Sequence, residues 1–179
     1  QESPKRCGHL DNKRVIPAGD MVQKIHAAVD ARVDPEFTII VRTDALAVTG
    51  WDDTMERCDA YVEAGADVLF VEAVRSKKEA QDVVSRFDVP LLYNFVETGK
   101  SPLIPAPELQ GLGFKLVIFP ASALMLVTRA VAGLMDEIKT HGPTSHMMKQ
   151  MASLEECFNL VGMAELLAQD AKYASNPSM

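Results

Sequence analysis

Asp67-Val68-Leu69-Phe70-Val71-Glu72 is the stretch that decides the fold class. Its middle is continuously apolar instead of alternating apolar with polar residues, which is typical of a parallel strand buried on both faces. Three further stretches have the same character: residues 37–42, 89–94 and 115–120. Repeated strands of this kind predict a parallel sheet covered by helices.

Helical patterns alternate with these strands. They share apolar residues at helical spacing and cover residues 20–31, 52–64, 76–87 and 121–141. We expect Asp20 to cap the first helix, Gly65 to stop the second and Gly142 to follow the last. The resulting order, β-α-β-α-β-α-β-α, indicates a parallel α/β architecture, and four strands form either an open sheet or half of a barrel.

The pattern changes after residue 142. Residues 143–179 begin with a methionine-rich stripe, which continues at helical spacing to Val161. Such a stripe is more often adaptable core than a cofactor site, and we expect it to pack on the domain or on a neighbouring subunit. The terminal Asn176-Pro177-Ser178-Met179 is expected to be frayed.

Composition excludes several classes of protein. The formal net charge of -7 argues against nucleic-acid binding, which needs a basic surface, and no apolar run approaches the ~18 residues of a membrane span. Three scattered cysteines indicate a reducing compartment. We expect a cytoplasmic protein, with the mitochondrial and peroxisomal matrix as alternatives. Because the first residue is Gln1, we expect the amino end to be removed or to lie outside this chain.

The predicted strands each end on a polar or special residue: Arg42, Glu72, Asn94 and Pro120. Parallel α/β folds bind ligands at the carboxyl ends of their strands, so a cation, an anion and an amide are expected around one site. The alternative is that polar residues merely mark the exits from the strands.

Cys7 is the most distinctive chemical feature. Its neighbours in Lys5-Arg6-Cys7-Gly8-His9 are polar or cationic, which favours an exposed, reactive thiol that serves as nucleophile or general acid/base. Cys58 and Cys157 lie on apolar helical faces and are expected in the core. No His and Cys pair has zinc spacing, and we expect the three other histidines at helix surfaces: His26, His141 and His146.

Five motifs in order resemble the isocitrate lyase/phosphoenolpyruvate (PEP) mutase superfamily. They are residues 3–9, 41–45, 70–73, 94–102 and 119–123, and the likeness extends to about residue 162. The resemblance implies a (β/α)8 TIM barrel, of which this chain covers roughly strands 5–8 and the C-terminal helices. Residues 1–142 are then the C-terminal half of the barrel. Residues 143–179 are a helical segment that subunits exchange within a homotetramer built from swapped dimers.

The resemblance also implies the site. It assigns catalysis to Cys7, as acid/base on a mobile loop, and to His9, which supports it. It assigns substrate binding to Gly8, Arg42, Glu72 and Asn94. The expected cofactor is Mg²⁺ (or Mn²⁺), and its ligands are expected upstream of Gln1. Glu72 is expected to contact the groups around the metal without binding the metal itself. Because those ligands would be missing, we expect the isolated chain neither to bind Mg²⁺ tightly nor to turn over.

Departures from the superfamily pattern narrow the substrate. Val96 stands where methylisocitrate lyases usually carry Thr, and Met125 and Leu154 stand near positions where they carry Arg. Loss of such contacts to a charged ligand costs about 1.5–3 kcal/mol each. A smaller dicarboxylate, such as a 2-alkylmalate or oxaloacetate, is therefore favoured, as in the dimethylmalate lyase, petal-death and oxaloacetate hydrolase-like branches.

The resulting hypothesis is a Mg²⁺-dependent carbon–carbon lyase of a small α-hydroxy or α-keto dicarboxylate. Alternatives are a carboxyphosphonoenolpyruvate mutase-like enzyme, a methylisocitrate lyase, and a truncated, inactive oligomer partner.

Overall fold

The computed structural model describes residues 1–174. The helices are α1 (Ala18–Ala31), α2 (Trp51–Glu63), α3 (Lys77–Arg86), α4 (Ala106–Leu112), α5 (Ser122–His141), α6 (Leu154–Leu160) and α7 (Met163–Tyr173). The strands are β1 (Ile40–Thr43), β2 (Val68–Val71), β3 (Leu92–Asn94) and β4 (Leu116–Ile118). Two 3₁₀ helices cover Ala45–Ala47 and Ser145–Gln150.

The strands pair in parallel and in sequence order. β1 pairs with β2, so that Arg42 lies beside Phe70, and β3 pairs with β4, so that Asn94 lies beside Ile118. A parallel bridge between Leu69 and Leu91 joins the two pairs. Consecutive parallel strands with intervening helices are the arrangement of a (β/α) barrel, and they bring the carboxyl ends of all four strands to one edge.

The elements agree with the predicted alternation, with two corrections. The first helix precedes β1, and the short helix α4 follows β3, where no helix was predicted. Pro105 and Pro107 argued against a helix at the sequence level, although proline is in fact compatible with the first turn of a helix. Asp20 was wrongly predicted as a cap: the N-cap of α1 is Pro17, and Asp20 lies in the first turn.

Two predicted helix stops are confirmed. Gly65 follows α2 with φ +104°, and Gly142 follows α5 with φ +82°. Glycine adopts this left-handed backbone conformation without steric cost. The side chain of Ser76 accepts a hydrogen bond from the backbone N–H of Glu79 and so caps α3, whose start was placed one residue too early.

The core lies between the strands and helices α1 to α4. Its centre includes Val41, Leu69 and Tyr93, and Cys58 of α2 is fully buried, as predicted. Burial raises the pKa of the Cys58 thiol to about 12. Apolar burial on both faces of β2 is what fixes this strand in the centre of the sheet.

The contacts divide the chain into two compact units, residues 1–125 and a second that begins at Leu126. No residue of α6 or α7 is buried within the described chain. Cys157 is exposed, so its predicted place in the core is wrong. The predicted domain boundary after residue 142 stays a prediction, and the predicted fraying of Asn176 to Met179 falls outside the described residues.

Among residues 1–174, no helix combines the length and the apolar character that a membrane crossing requires.

Candidate active site

One cavity of about 680 Å³ lies at the carboxyl ends of the strands. Its wall combines the amino-terminal loop with the residues that end β1, β2 and β3. All six predicted site residues line it: Cys7, Gly8, His9, Arg42, Glu72 and Asn94. The structure thus places these side chains together, whereas the role of each stays a prediction.

Glu72 is the centre of the polar network. Its side chain is fully buried, and its Oε2 lies 2.8 Å from Nη2 of Arg42. Asn94 donates from Nδ2 to Oε2 at 3.2 Å, and Nε2 of His9 lies 3.4 Å from Oε1. A buried carboxylate requires such compensation, since its desolvation is otherwise very costly.

Arg42 links Glu72 to a second carboxylate. Its Nε donates to Oδ2 of Asp44 at 3.0 Å, and its guanidinium carbon lies 4.8 Å from the centre of the Phe70 ring. Burial lowers the pKa of Arg42, but the hydrogen bond to Asp44 and the charges of Glu72 and Asp44 outweigh it and raise that pKa. Arg42 therefore stays a cation.

Part of Arg42 is available to a ligand. Its side chain is 38% exposed. Within residues 1–174, Nη1 donates no hydrogen bond, because the contacts to Asp44 and Glu72 use Nε and Nη2. A planar guanidinium with a free N–H edge suits a carboxylate.

Lys13 and Asp44 complete the site, although neither was predicted. Both are buried, and Nζ of Lys13 lies 3.3 Å from Oδ1 of Asp44 and also donates to the carbonyl oxygen of Gly8. Burial raises the pKa of Asp44, but Arg42 and Lys13 together hold it below its usual value. Lys13 lies in an ordinary polar stretch. Asp44 carried a weak signal, as a charge directly before the apolar pair Ala45-Leu46.

Gly8 packs directly against the ion pair of Arg42 and Glu72. A Cβ atom at Gly8 would lie 2.3 Å from Nη2 of Arg42 and 2.6 Å from Cγ of Glu72. Any side chain is therefore excluded at this position. The resulting close backbone approach brings the adjacent Cys7 to the cavity wall.

His9 connects the loop that carries Cys7 to the loop that follows β3. Nδ1 of His9 accepts a hydrogen bond of 2.9 Å from the backbone N–H of Lys100, which places the ring proton on Nε2, toward Glu72. Lys100 also forms an ion pair with Asp11 across the two loops. Gly99 permits this contact, since a Cβ there would lie 2.6 Å from Nδ1 of His9.

Cys7 itself is exposed, as predicted, and it lines the cavity beside Lys5 and Arg6. Side chains of Lys5, Arg6, Lys24 and Arg42 give the wall four cationic groups, against the two carboxylates of Asp44 and Glu72. Although the chain carries a net charge of -7, this cavity is cationic. It is therefore suited to an anionic ligand.

The described residues do not form a Mg²⁺ site. The carboxylates in the cavity wall belong to Asp44 and Glu72, and each is neutralised by Arg42, with Lys13 as a further partner of Asp44. Mg²⁺ needs near-octahedral oxygen ligands. Two carboxylates that are already paired with buried or half-buried cations do not provide them.

Comparison with known proteins agrees with this arrangement. The family model described as phosphoenolpyruvate phosphomutase matches residues 4–139. The chain belongs to the PEP mutase/isocitrate lyase superfamily. Both the predicted superfamily and its barrel fold are confirmed, since solved superfamily enzymes of the TIM-barrel type share the fold of this chain.

Three relatives illustrate the range of activities in the superfamily. The chain is 35% identical over 98% of its length to a 2,3-dimethylmalate lyase from Eubacterium barkeri and covers 61% of that protein. It is 42% identical to a probable 2-methylisocitrate lyase from Corynebacterium glutamicum, over 90% of this chain and 53% of the relative. A solved structure of oxaloacetate acetylhydrolase with the inhibitor 3,3-difluorooxalacetate matches with TM-score 0.83 and 32% identity, over 97% of this chain and 59% of that chain.

The chain thus spans between half and two thirds of the length of these relatives.

Proposed function

We propose that the complete protein is a lyase that cleaves a carbon–carbon bond in a small α-hydroxy or α-keto dicarboxylate of the 2-alkylmalate or oxaloacetate type. The observation that carries this proposal is the exposed thiol of Cys7 in the wall of a cationic cavity that Arg42 also lines. The named activities of the superfamily relatives support the same reaction class.

Charge selects the substrate class. A dicarboxylate brings two negative charges to a wall with an excess of cationic side chains, so its entry is electrostatically favourable. One carboxylate is held by the free Nη1 edge of Arg42. The guanidinium remains charged throughout, which makes it a fixed electrostatic anchor.

Asn94 contributes an acceptor. Its Nδ2 is engaged with Glu72, whereas its buried Oδ1 has no partner within the described chain. An unsatisfied buried acceptor is costly unless a ligand donates to it. The α-hydroxyl group of a 2-alkylmalate supplies such a donor, so in this proposal Asn94 orients the hydroxyl and not a carboxylate.

The chemistry needs a proton at carbon. In a 2-alkylmalate, the hydroxyl proton passes to solvent as the adjacent carbon–carbon bond breaks, the hydroxyl-bearing carbon becomes a carbonyl carbon, and the bonding electrons remain on the other fragment as an enolate. Oxaloacetate reaches the same step after water adds to its keto group, so that its cleavage yields oxalate. Arg42 stabilises the developing negative charge, and the S–H of Cys7 donates a proton to the enolate carbon. The thiol becomes a thiolate in this step, and Gly8 and His9 hold its loop against the cavity.

Mg²⁺, with Mn²⁺ as a substitute, is part of the proposal for the complete protein. Its ligands are expected outside the residues described here, and no step above depends on it. Removal of divalent ions with EDTA is expected to abolish turnover, and addition of Mg²⁺ to restore it.

The apolar side chains that α5 to α7 expose support a homo-oligomer. Leu126, Val131, Leu160 and Leu166 are among them. We propose that a second copy of the chain covers these side chains in a cytoplasmic assembly. Sedimentation velocity of the full-length protein tests this, and a monomer at micromolar concentration would contradict it.

Methylisocitrate lyase is the second candidate, because a relative with that name is 42% identical. Val96 argues against it, since this apolar side chain lines the cavity where a hydroxyl is usual in those enzymes. Val96→Thr is expected to leave the 2-alkylmalate reaction within a few-fold and to improve use of 2-methylisocitrate. A wild-type preference for 2-methylisocitrate would decide for the second candidate.

The decisive experiment compares thiols in the full-length protein with Mg²⁺ present. Turnover of 2,3-dimethylmalate is followed by release of pyruvate, and turnover of oxaloacetate by release of oxalate. Cys7→Ser is expected to lower kcat by roughly 10²–10⁴-fold, the usual contribution of a general acid. Cys157→Ser, which removes an exposed thiol that does not line the cavity, serves as the matched control and should retain full turnover.

Two outcomes would refute the proposal. Full activity of Cys7→Ser would remove the thiol from the mechanism. A correctly assembled protein without turnover of any tested acid, but with Mg²⁺ bound, would favour the non-enzymatic oligomer partner.

A further inference from the structure

The second unit contains a cluster of metal-ligating side chains that the proposed reaction does not use. Glu137 and His141 lie one turn apart on α5, and His146 lies on the following 3₁₀ helix. Gly142, with φ +82°, turns the chain between them, so that His146 returns to the last turn of α5. Sequence spacing alone did not indicate a site, because the cluster lacks cysteine and depends on this turn.

The three side chains converge on one point. Nδ1 of His141 lies 2.9 Å from Oε2 of Glu137, and Nδ1 of His146 lies 2.7 Å from Oε1 of the same carboxylate. The imidazole rings are 5.0 Å apart and nearly perpendicular. One ligand atom from each residue lies within 4.8 Å of the other two.

We propose that these residues form a binding site for a first-row transition ion such as Zn²⁺. Tetrahedral Zn²⁺ with bonds of about 2.0–2.2 Å needs ligand atoms roughly 3.3 Å apart. Side-chain rotations that bring the most widely separated ligand atoms closer by up to about 1.5 Å, from the present limit of 4.8 Å, give that spacing. Two imidazole nitrogens and a carboxylate oxygen suit Zn²⁺, Co²⁺, Ni²⁺ or Cu²⁺, whereas Mg²⁺ and Ca²⁺ prefer sites made only of oxygen.

The cluster is accessible to solvent. Both histidines are exposed, with 49% and 65% of their side chains accessible, so an ion reaches them without unfolding. Three protein ligands leave a fourth position for water. Binding ties the end of α5 to the 3₁₀ helix.

The test is calorimetric titration of the full-length protein with Zn²⁺ at pH 7.5, after alkylation of exposed thiols to remove competing ligands. In the presence of millimolar Mg²⁺, which fills the separate site proposed for the complete protein, we expect one Zn²⁺ per chain. His141→Ala and His146→Ala should each weaken binding at least tenfold, while His26→Ala, an exposed histidine on α1, should leave it unchanged. Excess Mg²⁺ should not compete.

Several results would overturn the site. They are the absence of Zn²⁺ binding, an affinity that either histidine variant leaves unchanged, and displacement of Zn²⁺ by millimolar Mg²⁺. Because both histidines are exposed, circular dichroism should show native helix content in each variant. The wild-type melting temperature should rise with Zn²⁺, and that of His146→Ala should not.

Discussion

Gly8→Ala tests how the cavity is built. The added methyl group would lie 2.3 Å from Nη2 of Arg42 and 2.6–2.7 Å from Cγ and Cδ of Glu72, which is more than an ångström inside normal contact. Glu72 is only 1% exposed and is held by Arg42 and Asn94, so moving it would disrupt these contacts. Either the ion pair breaks or the loop withdraws.

The response with the smaller energetic cost determines how far the free energy of unfolding falls. Breaking a buried ion pair costs about 3–5 kcal/mol, whereas accommodating an extra methyl group in a packed region costs about 1–3 kcal/mol. Because the loop is exposed on its outer side, we expect it to withdraw. The free energy of unfolding should then fall by about 1–3 kcal/mol, and the melting temperature by about 2–4 °C per kcal/mol.

Activity should fall further than stability. Cys7 is adjacent to Gly8, and a displacement of about 1 Å in a reacting group can cost 10²-fold in rate. Urea unfolding and kcat/KM of the full-length protein measure the two effects. Gly111→Ala is the matched control, because a Cβ there meets nothing within 4 Å and the residue lies in α4. It should be neutral or more stable by about 0.5–1 kcal/mol. If Gly8→Ala matched this control in stability and in rate, the packing argument would be wrong.

Three further expectations concern individual groups. Ellman's reagent should modify Cys7 rapidly and Cys58 only on unfolding, because burial raises the pKa of the Cys58 thiol to about 12; fast reaction of Cys58 in the folded protein would contradict the fold. Asp44→Asn should cost about 1–3 kcal/mol at pH 7. The folded-state pKa of Asp44 is lowered, so the stabilisation that this carboxylate provides is present above pH 3.8, its ordinary pKa, and is lost as the pH falls below that value. The difference in the free energy of unfolding between wild type and variant should therefore disappear in strong acid. A difference that stays constant with pH would refute the assignment. Gly99→Ala should speed modification of Cys7 and lower turnover at least tenfold with little loss of stability, and unchanged modification would show that the contact between loops does not hold the thiol.

Much of the fold was predictable because strand burial leaves a local signal. The continuous apolar run around Leu69 predicted β2, and Gly65 and Gly142 predicted two helix ends, at which the structure has both glycines in the left-handed conformation. The strands came out shorter than the apolar runs: residues 37–39 precede β1 because pairing with β2 begins only at Ile40. Pairing partners, and not the apolar character of the run, determine where a strand begins.

The failures come from interactions distant in sequence. Cys157 follows an apolar periodicity, but periodicity does not specify whether another element covers that face, and Cys157 is exposed in the part of the chain that the structure describes. Lys13 joins the site because the amino-terminal loop folds back over β1 and brings Nζ to Asp44. No local pattern distinguishes such a lysine from a solvated one.

Acidic residues at strand ends usually suggest a catalytic base or a metal ligand, but the two carboxylates of this cavity have a different role. Asp44 and Glu72 do not face the ligand as free bases or metal ligands, since both are neutralised by Arg42. Their arrangement fixes the guanidinium from two sides and leaves Nη1 without a partner among residues 1–174, while Glu72 also occupies the donor end of Asn94. The two carboxylates therefore orient one cation, the guanidinium of Arg42, and one acceptor, Oδ1 of Asn94. A single-charge change at Glu72 would disturb both groups at once, which is why the buried carboxylate, and not the exposed thiol, determines the shape of the site.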